Sequence, residues 1–294
     1  KSKRKKDIYK ISFMESKGLM DCVKKALKFQ KLISQEMKKI KRVKFNYKDL
    51  IIGLECGGSD TTSGLIANPC VGHFVDDLIK KKGSAIFSEP VECLGGEESL
   101  LKRIKNKKLK QKLLNTIYKY QKIANDNKIS LTGVNPTPDN IRGGLSTIEE
   151  KSLGAISKSG SQEIVDIIDF GKKIKKRGLN LLDAPAAAVE NLTALSAAGC
   201  QVILFTTGGG NPVGNPISPT IKITANKKTY KSFKDLIDID LSFLIDSLDY
   251  KNGSLKIAKK VYSIINNKKT LSEKNKYLES NISRFGPSIW NIKF

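Results

Sequence analysis

Leu50-Ile51-Ile52-Gly53-Leu54-Glu55-Cys56-Gly57-Gly58-Ser59-Asp60 is an apolar run that stops at a pair of glycines and then turns polar. Its first part, Leu50-Ile51-Ile52-Gly53-Leu54, reads as a short buried strand running into the glycine loop rather than one face of a helix. The residues after it, 67–81, space their apolar side chains as a helix does. The same sequence of events recurs three times. Ser84-Ala85-Ile86-Phe87 ends at Ser88-Glu89-Pro90, ahead of a Lys-rich helix over about 97–125. Leu179-Asn180-Leu181-Leu182 ends at Asp183, before an Ala-rich helix over 186–198 that Gly199 stops. Gln201-Val202-Ile203-Leu204-Phe205 ends at Thr206-Thr207-Gly208-Gly209-Gly210. Strand, polar loop and helix in repetition predict an α/β fold built on a mostly parallel, Rossmann-like sheet with helices on both faces.

Around this core the chain is helical and basic. Residues 12–40 place Leu19, Val23, Leu27, Ile33 and Met37 at helical spacing with an almost wholly Lys polar face. The tail 254–281 reads as one or two helices. These peripheral Lys-rich helices suggest three parts: 1–48, a helical segment belonging to an upstream domain; 49–250, the α/β catalytic core; and 251–294, a C-terminal helical segment. Residues 129–146 form a non-repetitive loop ahead of a helix over 147–158.

The 53 Lys and Arg against 29 Asp and Glu leave a net charge of +24 over 294 residues, a field that draws anions. The excess is mostly lysine and is spread along helices, whereas base readout favours arginine, so a solvated basic surface is expected and nucleic acid is not the expected partner. No apolar run is long enough to span a bilayer, and the opening Lys-Ser-Lys-Arg-Lys-Lys lacks the apolar stretch of a signal peptide. The expected location is therefore the cytoplasm, without membrane attachment. The five cysteines, at 22, 56, 70, 93 and 200, contain no Cys-x-x-Cys pair, which argues against a disulfide framework or a thiolate zinc site.

Ligands in open α/β sheets sit outside the carboxyl ends of the strands, where all four polar clusters fall. Gly57 and Gly58 let backbone approach a ligand, and Ser59 and Ser63 can cap the next helix or bind a carboxylate. Asp60 suits a helix cap, a metal or acid–base work. Cys56 is the thiol set in a glycine loop. The run Gly208-Gly209-Gly210-Asn211-Pro212 does not fit a dinucleotide fingerprint, because its glycine spacing is wrong and Pro212, Pro216 and Pro219 bar the required helix. With Thr206 and Thr207 it suits an oxyanion instead. Glu89, Glu92, Asp183 and Glu190 are acids at or beyond strand ends that could converge on a metal or supply a general base. His73, the one histidine, lies within a helical pattern and has no triad or metal spacing around it.

Taken together, Gly53-Leu54-Glu55-Cys56-Gly57-Gly58-Ser59-Asp60, Ser63-Gly64, Ala67-Asn68-Pro69, Gly72 and Ser88-Glu89 resemble the altronate and galactarate dehydratase family, which includes the large subunit of sulfolactate sulfo-lyase. Asn135, Pro136, Asn140, Gly143-Gly144-Leu145, Thr147, Glu149-Glu150-Lys151, Lys158 and Gly160 continue the resemblance. Asp183, Thr193, Phe205-Thr206-Thr207-Gly208, Gly214, Pro219 and Ile221-Lys222 complete it, from about residue 18 to about 245.

The resemblance implies a hydro-lyase that removes a proton beside a sugar acid's carboxylate and expels the β-hydroxyl as water, leaving a 2-keto-3-deoxy acid. It implies a divalent metal, Fe2+ or Mn2+. By carry-over, Asp60 and Glu89 are the catalytic candidates, and Glu89 and Asp183 the metal candidates. Cys56, Gly57, Gly58, Ser59, Ser63, Asn68, Asn140, Glu150, Thr206, Thr207 and Gly208 are the candidates for holding a small anionic hydroxy-acid substrate. Gly209 stands where the family usually has Arg, and the small histidine-bearing N-terminal domain of full-length relatives is not in this sequence. The expected partners are therefore a separate histidine-bearing domain or subunit and further copies of the chain. A sulfolactate sulfo-lyase large subunit and a carboxylate-binding subunit without catalysis are the alternatives.

Overall fold

A computed structural model describes residues 9–41, 43–129 and 135–282. The outermost residues of the expected terminal segments and positions 130–134 of the 129–146 loop lie outside the described residues. The chain divides into two compact units, Lys1–Phe45 and Asn46–Phe294. In the first, α1 (Leu19–Lys39) starts seven residues later than its periodicity predicts, after Gly18, whose φ of 92° is not helical. Tyr9 packs on Phe29 with ring centroids 4.9 Å apart.

The second unit runs β1 (Ile51–Cys56), α2 (Asn68–Lys80), β2 (Ser84–Phe87), α3 (Glu97–Leu101), α4 (Lys107–Asp126), α5 (Pro138–Arg142), α6 (Ile148–Ser157), β3 (Ile164–Ile168), β4 (Leu179–Leu182), α7 (Ala188–Ala198), β5 (Val202–Thr206), β6 (Thr220–Thr224), α8 (Lys227–Ser232), β7 (Ile239–Asp240), α9 (Tyr250–Ile265) and α10 (Leu271–Lys274). Among the described residues seven strands form one sheet in the order β3-β4-β2-β1-β5-β6-β7, and every pairing is parallel. β2, β4, β5 and β6 are buried along their whole length, as strands covered on both faces must be. The β1-to-β2 and β4-to-β5 crossovers run in opposite directions along the sheet, so right-handed connections lay α2 and α7 on opposite faces. β1 is thus the switch point, the place where ligands bind in open α/β sheets.

The four expected strands are present: β2 and β4 have their expected bounds, β5 is shifted by one residue, and β1 runs two residues past the expected Leu54; β3, β6 and β7 are additional. The single helix expected over 97–125 is two, because the Asn106 side chain accepts a hydrogen bond from Leu109 N–H and starts α4 afresh. Gly199 ends α7 at φ 114°, where any side chain would be strained. α9 starts four residues ahead of the expected tail helix, where Asp249 caps it, and its Gly253 passes so close to Cys70 of α2 that a Cβ would not fit. The apolar core between sheet and α7 gathers Ile86, Leu182, Leu192, Leu195, Ile203 and Phe205. All five cysteines are free. Among the described residues no helix is long and apolar enough to cross a membrane.

Candidate functional site

Side chains alternate across a strand, so Cys56 and Glu55 at the end of β1 point to opposite faces of the sheet. Cys56 meets the segment just after β2. There Glu89, the residue before Pro90, is held at φ 66°, ψ 59°, a left-handed conformation that costs a non-glycine residue about 1–3 kcal/mol and that clusters at functional sites. A 3-10 turn, Pro90–Cys93, brings Glu92 back beside it. The third contributor is α6, which approaches α2 closely because Gly72 has no side chain to strike the Ser157 carbonyl. Lys151 and Lys158, two turns apart, project from α6 and its carboxyl end into the same interior.

The resulting cluster is almost closed to solvent. Lys158 Nζ donates to Glu89 Oε2 at 2.6 Å and to Cys56 Sγ at 2.9 Å. The Cys56 thiol donates to Glu92 Oε2 at 3.0 Å, and Lys151 Nζ stands 2.9 Å from Glu92 Oε1 and 2.5 Å from Asn135 Oδ1. Glu89 is wholly buried and its Oε1 accepts no hydrogen bond. Burial pushes the Glu89 carboxyl up to about 7 against the pull of Lys158. Burial also opposes the charge on Glu92, but Lys151 and Lys158 outweigh it and hold this carboxyl below its usual range. Burial and the two glutamates drive the Cys56 thiol well up, so it keeps its proton. Two carboxylates therefore face two ammonium groups around a neutral thiol. Each buried ion costs several kcal/mol of desolvation, which apolar residues would avoid, and such clusters mark functional sites. Asn135 stands between Lys151 and a cavity of about 560 Å³ whose wall includes Leu94, Tyr118 and Thr147.

Above the cluster the glycine loops close on one another. Gly208 and Gly209 N–H both donate to the Gly58 carbonyl, and Gly210 N–H donates to Thr207 Oγ1. Asp60 ties the loops together: its carboxylate accepts from Ser63 N–H, Thr62 Oγ1 and Asn226 Nδ2, at 2.8 Å each, while Ser63 Oγ donates to its carbonyl. Asn140, in a capping box with Thr137, donates to the Ser59 carbonyl at 2.8 Å. Thr206 Oγ1 donates to Asn68 Oδ1, and Asn68 Nδ2 donates in turn to the Gly154 carbonyl, linking β5 to α6. Among the described residues, the N–H groups of Gly58, at φ 64°, and Ser59 have no protein acceptor. Two adjacent amides without a protein acceptor at the switch point are candidates for holding an anion.

The structure brings Cys56 and Glu89 into the buried cluster, and Gly57, Gly58, Ser59, Asp60, Ser63, Asn140, Thr207 and Gly208 into the loop layer above it. It does not bring in Glu150, which is exposed and accepts from Ser146 N–H and Oγ, or Asp183, whose carboxylate is taken by Lys119 and Tyr120. Of the four acids considered for convergence, Glu89 and Glu92 meet. Among the described residues the thiol and carboxylate groups close enough to share one ion are Cys56, Glu89 and Glu92, within 4.8 Å of one another, so Asp183 is replaced as a metal candidate by Cys56 and Glu92. The sequence names Lys151 and Lys158 among the residues that carry the family resemblance without giving them a role in the site; their seven-residue spacing, on the helix face shared by Ser152 and Ala155, is a further signal.

On the opposite face, Glu55, Phe205 and Lys222 lie side by side in register across β1, β5 and β6. Glu55 accepts from Asn191 Nδ2, and burial raises its carboxyl well above the usual range. Lys222 donates to the Val213 carbonyl, lies 4.2 Å from the centre of the Phe205 ring and is brought down to about 7 by burial. The unfolded chain keeps this proton to about pH 10.5 while the folded chain releases it near 7, so stability should rise with pH between those values. Lys222→Met is expected to stabilise the fold at neutral pH by about 1–4 kcal/mol and to flatten that rise. Urea unfolding of both proteins at about pH 7 and pH 9 checks this, and an unchanged slope would show that Lys222 does not titrate in the window.

A family model described as D-galactarate/Altronate dehydratase, C-terminal, matches residues 47–288. The chain is 37% identical to the altronate dehydratase of Bacillus subtilis over 242 residues, 82% of this chain and 48% of the relative. It is 33% identical to the altronate dehydratase of Escherichia coli over 285 residues, 96% of this chain and 57% of the relative. It is also 35% identical to the (2R)-sulfolactate sulfo-lyase subunit beta of Chromohalobacter salexigens over 232 residues, 78% of this chain and 60% of the relative. The chain spans about half the length of the altronate dehydratases it matches.

Proposed function

This chain belongs to the D-galactarate/altronate dehydratase family, and on that premise we propose that it carries hydro-lyase chemistry on a sugar acid. The observation that carries the reading is the buried Cys56–Glu89–Glu92–Lys158 cluster beneath a free amide pair at the switch point. The substrate carboxylate is received by the N–H groups of Gly58 and Ser59, which have no protein acceptor among the described residues. Glu89 Oε1, buried and without a hydrogen-bond donor, takes the proton from the carbon beside the carboxylate. The electron pair of that C–H bond becomes a C=C bond as the bond to the β-hydroxyl breaks. The hydroxyl departs as water with the proton that Glu89 returns, and the enol left behind takes a solvent proton at carbon 3 and gives up its O–H proton to become the 2-keto-3-deoxy acid.

Family membership also leads us to propose a divalent cation, Fe2+ or Mn2+. One thiol and two carboxylates within 4.8 Å are a donor set that suits such ions, so Cys56 Sγ, Glu89 Oε2 and Glu92 would hold it. When bound it supplies Lewis-acid polarisation of the substrate's oxygens. Because the relatives are longer than this chain, we extend the proposal to a histidine-bearing partner domain.

The test is anaerobic turnover with Fe2+ on altronate, galactarate and sulfolactate, with and without a small histidine-bearing domain from a relative. The expected result is a 2-keto-3-deoxy acid from altronate or galactarate. The likeness to the sulfo-lyase subunit favours one second reading, elimination of sulfite from sulfolactate, and sulfite release without sugar-acid turnover would establish it instead. No product in any arm would leave a carboxylate-binding subunit.

A further inference from the structure

The atoms expected to hold the cation already hold one. Lys158 Nζ lies 2.6 Å from Glu89 Oε2 and 2.9 Å from Cys56 Sγ, and its side chain is 3% exposed. We propose that Lys158 is a built-in substitute for the divalent ion, occupying the place between Cys56 and Glu89 in the metal-free chain, and that the ion enters only as this side chain leaves. The inference rests on the reading of Cys56, Glu89 and Glu92 as the ion's ligands.

A cation bonded to a thiolate at about 2.3 Å and to a carboxylate oxygen at about 2.1 Å would lie within about 5 Å of Nζ where it now stands. Two like charges that close, in an interior that screens poorly, repel strongly. On binding, the Cys56 proton goes to solvent as the sulfur–metal bond forms. Lys151 can stay, because it bonds the Oε1 of Glu92 that faces away from Cys56 and is also held by Asn135.

Anaerobic Co2+ titration of the full chain tests this, because bonding to Cys56 gives a sulfur-to-cobalt charge-transfer absorption that is independent of turnover. Lys158→Met is expected to bind Co2+ at least about 100-fold more tightly than the wild type, with that absorption present, since a like charge is removed from the site. Lys158→Arg, which keeps the charge, should gain nothing, and Cys56→Ser combined with Lys158→Met should lose the absorption. Lys158→Gln keeps hydrogen-bond donors without the charge and serves if the methionine variant folds poorly. In either neutral variant Co2+ should raise the unfolding temperature more than in the wild type. Wild-type or weaker affinity in both neutral variants, or their failure to fold even in saturating Co2+, would overturn the inference. Tight Co2+ binding without turnover in the assay above would overturn the proposed activity and leave this inference standing.

Discussion

Glu89→Gln is expected to lower turnover by about 1,000-fold while keeping the shape of the side chain, because the amide cannot take a proton as the carboxylate does. The same change removes the carboxylate nearest the buried Lys158 ammonium, so it should also destabilise the fold, by about 3–5 kcal/mol. The two losses have separate causes. Loss of the ion pair lowers the urea midpoint, whereas loss of the proton acceptor lowers kcat in the protein that remains folded. Glu89 is also held in a left-handed conformation, as expected where a backbone is shaped to aim a side chain. Unchanged kcat in folded Glu89→Gln would remove this residue from the reaction.

Asp60→Ala should be nearly as damaging, for a different reason. Its carboxylate accepts from Ser63 N–H, Thr62 Oγ1 and Asn226 Nδ2, joining the loop after β1 to the one after β6. Gly208 packs so closely on this carboxylate that a Cβ there would run into it. Loss of three hydrogen bonds at about 1 kcal/mol each predicts about 3 kcal/mol of destabilisation. The same loss frees the loop that presents the Gly58 and Ser59 amides, so KM should rise by about 10-fold or more, with a smaller change in kcat. Asp60→Asn, which keeps the shape and one acceptor oxygen, should fall between. A fall in kcat at unchanged KM would instead make Asp60 part of the chemistry, as its position beside Ser59 first suggests.

This contrast shows what sequence alone could resolve. β1 and β5 were legible because apolar runs stopped by glycine admit few other readings, and Gly199 was legible because a helix ending in a left-handed turn calls for glycine. β6 was not: Thr220-Ile221-Lys222-Ile223-Thr224 alternates like a half-exposed strand, yet every residue of it is buried, the lysine included. The cysteine and the first glutamate of the site could be picked out by their places at strand ends. Lys151 and Lys158 could not be told from the other basic residues by composition, since only the packing of α6 decides which lysines turn inward. Asp60 invited a catalytic role, although Asp60-Thr61-Thr62-Ser63 is also a helix-start pattern, and the structure uses it as one.

The central claim is that Glu89 in the buried cluster removes the proton beside the substrate carboxylate. Proton NMR of altronate and galactarate in D2O, incubated anaerobically with the Fe2+-supplied protein and its Glu89→Gln variant, tests it most directly. The expected result is a 2-keto-3-deoxy acid carrying a single solvent deuterium at carbon 3 from the wild type, and unchanged substrate from the folded variant. The same deuterated product formed by the variant at the wild-type rate would contradict it.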